Sequence, residues 1–151
     1  MKLIATATAI CLGFACASAV ASEPTEKDAI AMAERAAVFF KAHGKEELKK
    51  AISEKNPEFS QGSLYIDMRD IKTGIVLAHP HNPSIVGKDL TDVPDANGKK
   101  YRREIIELAA AKGKGWVDYM YKNPVSGKIE PKTTYILKID DFCVEAGLYK
   151  K

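Results

Sequence analysis

The chain has 151 residues, 46% of them hydrophobic and 28% charged, with a formal net charge of +3. Those values fit one globular domain and exclude a multidomain enzyme, a disordered chain and a disulfide-dense scaffold. Basic and acidic residues are interleaved, which argues for a solvated surface and against the concentrated basic stripe that nucleic acid requires.

Residues 1–21 differ in character from the rest of the chain. Lys2 is their only charge, residues 3–17 form an apolar run, and Ala19-Val20-Ala21 is the small-x-small pattern read by signal peptidase. This predicts a secretory signal peptide cleaved before Ser22, a single mature domain over residues 22–151 and a periplasmic location. The alternative is an uncleaved inner-membrane anchor, because residues 3–21 make 19 residues, just enough to cross a bilayer. A lipoprotein is disfavoured, since Gly13-Phe14-Ala15-Cys16 lacks the expected Leu. Cleavage leaves 130 residues with 22 basic against 20 acidic side chains, and Cys143 as the one remaining cysteine. A lone cysteine between Phe142 and Val144 makes no internal disulfide and reads as a small buried hydrophobe.

The mature chain opens on helix signals. Pro24 suits a first turn and the Thr25–Asp28 spacing resembles a capping box. Ile30, Ala33, Ala37 and Phe40 recur at helical spacing up to about Lys41, with Gly44 as the stop. A second, short helix is predicted over residues 45–53, ended by Asn56-Pro57. From Ser63 the period changes to two. Leu64, Ile66 and Met68 alternate with Tyr65, Asp67 and Arg69, and a turn leads into a second run over residues 75–79, giving an antiparallel hairpin. Residues 80–100, with three prolines and no sustained period, predict a long irregular loop of the kind that often carries function. A helix follows over residues 102–112, then strands over 115–122, 132–139 and 142–149. The result is an α+β domain with an antiparallel sheet.

No strong catalytic signature is present: no G-x-S-x-G, Walker A, H-E-x-x-H or C-x-x-C-H. The chain is therefore expected not to be an enzyme, and no catalytic residue, metal ligand or cofactor is assigned. His79-Pro80-His81 with loop carboxylates Asp89, Asp92 and Asp95 is the one arrangement from which a periplasmic metal-binding alternative could be built. Asp95-Ala96-Asn97-Gly98 begins like a calcium loop but lacks the remaining ligands, so a tight turn is expected. More suggestive are the phenols on successive strands: Tyr65, then Tyr119 and Tyr121, then Tyr135 near Lys132. Tyr O–H and Lys N–H donors over an apolar sheet suit a small carboxylate. Strand parity sets Trp116 apart from Tyr119 and Tyr121, and Lys132 apart from Tyr135.

An ordered series of strings resembles the single Cache domain, type 2. It runs from Gly62-Ser63-Leu64-Tyr65-Ile66 through Gly74-Ile75-Val76-Leu77-Ala78-His79-Pro80 and Asn82-Pro83-Ser84-Ile85-Val86-Gly87-Lys88-Asp89-Leu90. Further on come Gly115-Trp116-Val117-Asp118-Tyr119, Lys132-Thr133-Thr134-Tyr135 and Ala146-Gly147-Leu148-Tyr149. The resemblance covers residues 26–149. It implies an extracytoplasmic sensor with a PAS-like Cache fold, a long N-terminal helix packed on a central five-stranded antiparallel sheet. It also implies a pocket between sheet and long loop for a small organic ligand such as a monocarboxylate. Carried over by position, the ligand-binding residues are Tyr65, His79, Tyr119, Tyr121 and Lys132, with Trp116 and Tyr135 as supports. His79 would cap the pocket and Lys132 would be the counter-charge, while Tyr149 would pack the end of the last strand.

The family often carries tryptophan where Tyr121 stands and before the last strand, where this chain has Phe142-Cys143, so ligand identity does not transfer. Receptor members continue into a second membrane helix. Here the sequence ends at Lys150-Lys151, and the expectation is a stand-alone domain whose occupancy is read by a separate membrane receptor or kinase. An interaction module that dimerises through the N-terminal helix is the further alternative.

Overall fold

The computed structural model describes residues 23–150; the expected signal peptide and its cleavage site lie outside them. Helix α1 (Glu26–Ser53) opens on the expected capping box: the Thr25 N–H and hydroxyl both donate to Asp28 Oδ2, at 2.8 and 2.6 Å, and the Asp28 N–H donates to Thr25 Oγ1 at 3.3 Å. Its one non-helical residue is Gly44, at φ 85° and ψ 175°. The predicted stop is thus a kink joining two helical segments, because glycine alone enters that region without a Cβ penalty. Among the described residues, no helix is long and apolar enough to cross a membrane.

The strands are β1 (Ser60–Gln61), β2 (Leu64–Asp70), β3 (Val76–Ala78), β4 (Lys114–Lys122), β5 (Ile129–Ile139) and β6 (Phe142–Tyr149), with helix α2 (Tyr101–Lys112) before β4. They form one antiparallel sheet in the order β1-β2-β6-β5-β4, with β3 also paired to β2. β1 meets β2 at Leu64 and Tyr65, β3 meets it at Met68 and Arg69, and β6 takes the opposite edge. The sheet is therefore five strands across and holds six strands. The extra one, β1, has two residues and no period for a sequence reading to find. The fold is the α+β, PAS-like arrangement expected, with its long helix on an antiparallel sheet.

Period-two alternation gives the sheet two unlike faces. Leu64, Ile66 and Met68 of β2 and Phe142, Val144 and Ala146 of β6 are buried against α1, whose Ala29, Met32, Ala33 and Ala36 let the helix lie close. The other face meets α2 and the long loop, and there Ile105 and Ala109 pack on Val117, Tyr119, Ile136 and Cys143. Cys143 is fully buried and its thiol is pushed up by burial, then by Glu145, consistent with a packing role.

The long loop contains one 3-10 turn, Pro83–Ile85, and is fastened at two points. The Gly87 N–H donates to the Val76 carbonyl at 2.8 Å and the Val76 N–H to the Lys88 carbonyl at 3.1 Å. Further along, the Asp95 carboxylate accepts the N–H groups of Asn97 and Lys99, both at 2.9 Å, and reaches the outer edge of β4 at the Met120 N–H, 2.8 Å away. Asp95–Gly98 is the expected tight turn, with Gly98 at φ 83°.

Candidate functional site

Between this loop, the start of α2 and the non-α1 face of the sheet lies a cavity of about 660 Å³, lined among others by Tyr65, His79, Tyr101, Arg102 and Tyr121. Beneath it is an inner chamber of about 10 Å³, room for one water-sized atom, bounded by Asp67, Arg69, Tyr119, Lys132 and Glu145. His79, Ile85, Tyr101, Arg102 and Tyr121 line both chambers and form the neck between them.

Lys132 lines the inner chamber. Its side chain is 1% exposed, and its Nζ lies 3.9 Å from the Tyr65 ring centroid, 5.3 Å from Tyr121, 5.4 Å from Tyr149 and 5.8 Å from Tyr119. Among the described residues no carboxylate comes within 4.0 Å of it. Four ring faces supply some of the lost hydration. Burial nevertheless lowers the ammonium to about 8, against the opposing pull of Asp67 and Glu145. The side chain reaches this place because Gly147, on the neighbouring strand, has no Cβ. A methyl there would overlap Lys132 Cε and stand 2.7 Å from both Lys132 Nζ and Thr134 Oγ1.

The carboxylates nearby are already engaged. Arg69 Nε and Nη2 donate to the two Glu145 oxygens at 2.7 and 3.4 Å, and Asp67 Oδ2 is 4.0 Å from Nη2. Burial lifts Glu145 to about 7; Arg69 opposes that shift and Asp67 adds to it. Arg102 is 7% exposed and its guanidinium carbon sits 4.3 Å over the Tyr101 ring, which is stacked on Tyr119 at 3.8 Å. Its Nη1 donates to the Val93 carbonyl at 3.1 Å, whereas its Nε is the buried side-chain donor among the described residues with no acceptor. Three cations (Arg69, Arg102 and Lys132) thus face two carboxylates (Asp67 and Glu145), leaving one positive charge uncompensated.

The neck has a defined proton arrangement. His79 Nδ1 accepts the N–H groups of His81 and Asn82 at 3.2 and 3.0 Å, and burial, then Lys132, lowers the imidazole to about 3. The ring is therefore neutral with its proton on Nε2, which donates to the Tyr121 hydroxyl 3.3 Å away. Because Tyr121 accepts from His79, its own O–H proton is free to point at a ligand. Tyr119 likewise accepts from Thr134 Oγ1 at 3.0 Å and keeps its proton, and burial raises both phenols. A group held at this neck meets the Arg102 guanidinium and the Tyr121 phenol, with the desolvated Lys132 ammonium in the chamber beneath.

The family model for Single Cache domain 2 matches residues 28–149. The chain belongs to that family. Among solved structures, the periplasmic sensor domain of a chemotaxis protein is 27% identical, over 83% of this chain and 90% of that one, with a TM-score of 0.64. A methyl-accepting chemotaxis protein from Vibrio parahaemolyticus is 23% identical over 82% and 86%, at 0.71. A Cache chemosensory domain described for its carboxylic acid recognition is 20% identical over 83% and 88%, at 0.64. The last two speak for the fold.

Of the site residues expected from the sequence, this Cache domain brings together Tyr65, His79, Tyr119, Tyr121 and Lys132. It does not bring in Trp116 and Tyr135. These two pack on each other, with ring centroids 5.2 Å apart, on the α1 face, since both are out of phase with Tyr119 and Lys132. Tyr149, expected at the strand end, instead joins the ring of phenols around Lys132 and donates to the Lys122 carbonyl at 2.8 Å. The sequence reading missed Tyr101 and Arg102, because neither belongs to the apolar period of α2 and only the docking of its first turn places both at the neck. It also missed Arg69–Glu145, since nothing local to either residue marks a partner 76 positions away. For the metal alternative, His79 has both ring nitrogens engaged and His81 Nε2 lies 3.3 Å from Ser60 Oγ. Among the described residues no group of three His, Cys, Asp or Glu could hold a metal ion.

Proposed function

We propose that this Cache domain is a non-catalytic, periplasmic ligand sensor that binds a small organic carboxylate and reports its occupancy to a membrane receptor or kinase. The observation that carries the reading is the uncompensated positive charge of the neck and inner chamber. Among the described residues, Lys132 Nζ is buried without a carboxylate within 4.0 Å and Arg102 Nε without an acceptor. A carboxylate at the neck would place one oxygen toward Lys132 and the other against Arg102 and the Tyr121 hydroxyl. That balances the charges and satisfies the orphaned donor in a setting where charge-assisted hydrogen bonds are strong. Support also comes from the fold shared with a Cache domain described for carboxylic acid recognition.

Isothermal calorimetry of the purified protein against acetate, propionate and butyrate tests the reading. Lys132→Met should weaken binding at least tenfold with the fold intact, because it keeps the length of the side chain and removes the charge. Equal affinity in that variant, or no binding of any acid from acetate to octanoate by the unaltered protein, would sink the carboxylate reading.

A further inference from the structure

The two chambers differ in chemistry. Most of the charges cluster at the inner chamber and the neck, whereas beyond the neck the outer wall includes Val93, Pro94, Met120, Pro124 and Ile129, with Asp95 and Lys122 as its charged residues. Several polar groups in that wall are already engaged. Asp95 accepts three backbone N–H groups, His81 is bonded to Ser60, and Asn82 Oδ1 accepts the Ser84 hydroxyl at 2.7 Å. Beside the Lys122 ammonium, the outer chamber therefore offers a ligand apolar contact.

Exposed hydrophobic side chains gather at the same place. Among the described residues the large exposed ones are Val38, Val86, Val93, Val125 and Ile129. Val93 and Ile129, 48% and 58% exposed, line the outer chamber, and Val86 and Val125 directly follow the lining residues Ile85 and Pro124. Only Val38, on α1, lies elsewhere. Scattered exposed aliphatics are ordinary; two lining one charged well, with two more adjacent in sequence to its lining residues, point to a binding feature. The volume agrees, since about 660 Å³ falls in the range that encloses far larger ligands than a two- or three-carbon acid.

We propose that the preferred ligand is an amphipathic monocarboxylate whose acid group sits at the neck and whose hydrocarbon body, of roughly five to eight carbons, lies along the apolar outer chamber. The proposal rests on the carboxylate reading above and adds what the rest of the molecule must be. Lys122 is the one cation that lines the outer chamber alone, so a dicarboxylate is the competing ligand, and adipate binding more tightly than hexanoate would overturn the monocarboxylate assignment.

The test is a homologous series from acetate to octanoate, measured by calorimetry on the purified protein, with n-hexanol and n-hexylamine as length-matched controls. Affinity is expected to rise by about fourfold per methylene beyond propionate until the chamber is filled, the fold-change that corresponds to one buried CH₂. Ile129→Ser should weaken hexanoate more than acetate, while Val38→Ser, on the far side of the molecule, should leave the whole series unchanged. Affinity that is flat or falls with chain length would overturn this proposal and leave the carboxylate reading standing. Hexanol or hexylamine binding as tightly as hexanoate would instead overturn the carboxylate reading, with apolar contact alone holding the ligand.

Discussion

The same strands build two unlike surfaces. Along β2, Leu64, Ile66 and Met68 meet α1 in an apolar layer, while Tyr65, Asp67 and Arg69, one residue out of phase, face the cavity with charge and phenol groups just as deeply buried. β6 repeats the contrast, with Phe142, Val144 and Ala146 against α1 and Glu145 and Gly147 toward the cavity. Burial is thus no guide to what a residue contributes. On the α1 face it releases apolar surface from water and supplies stability. On the cavity face it removes charges from water, a cost that paired groups recover only in part and that an unpaired ammonium leaves as attraction for an anion.

Substitutions on the two faces should separate these contributions. The largest expected effect is on the α1 face: Phe142→Ala should cost about 3–5 kcal/mol in urea unfolding, with propionate affinity of the folded fraction unchanged. A matching loss of affinity would mean that the two faces are coupled through the sheet. Gly147→Ala comes next, at about 1–3 kcal/mol, because its methyl invades the space of Lys132. Unlike Phe142→Ala it should also weaken propionate binding, and combining it with Lys132→Ala, which vacates that space, should make the two stability losses non-additive.

pH divides the faces without a substitution. Propionate affinity should fall as pH rises through about 7, where Glu145 ionises, and through about 8, where Lys132 loses its proton, at about tenfold per unit beyond. Stability without ligand moves the other way in the upper window. Between pH 8 and the ordinary 10.5 the unfolded lysine holds a proton that the folded one does not, so the contribution of Lys132 rises with pH. Between 4.5 and 7 the folded Glu145 holds the extra proton, so its contribution falls as pH rises. Urea titrations paired with calorimetry across pH 5–10 would expose both slopes. An affinity constant across that range would remove Lys132 from the site. The smallest effect belongs to the capping box, where Thr25→Ala should cost about 1 kcal/mol in urea unfolding and leave affinity untouched.

Much of this was legible in the residues themselves. The capping box, Gly44, the β2–β3 hairpin, α2 and strands β4 to β6 all follow from period and punctuation, and the phenols of Tyr65, Tyr119 and Tyr121 with Lys132 follow from the family motifs. What escaped were features carried by pairs of strands. Arg69 and Glu145 are 76 positions apart and become partners only through the β2–β6 register. Tyr101 and Arg102 belong to the site because α2 begins at the cavity mouth. Trp116 and Tyr135 looked alike in chemistry to the pocket phenols, yet parity turns them to the opposite face.

Element types, family and the alternation of residues along each strand belong to the chain alone, because hydrophobic period, turn residues and motif order are local. Packing settled which of the two alternating sets would close on the helix and which on the loop. It also placed Lys132 over Gly147 among four phenols, and brought three cations to only two carboxylates. Charge balance in a buried site depends on distances between residues far apart in sequence, and only the packed sheet sets those distances.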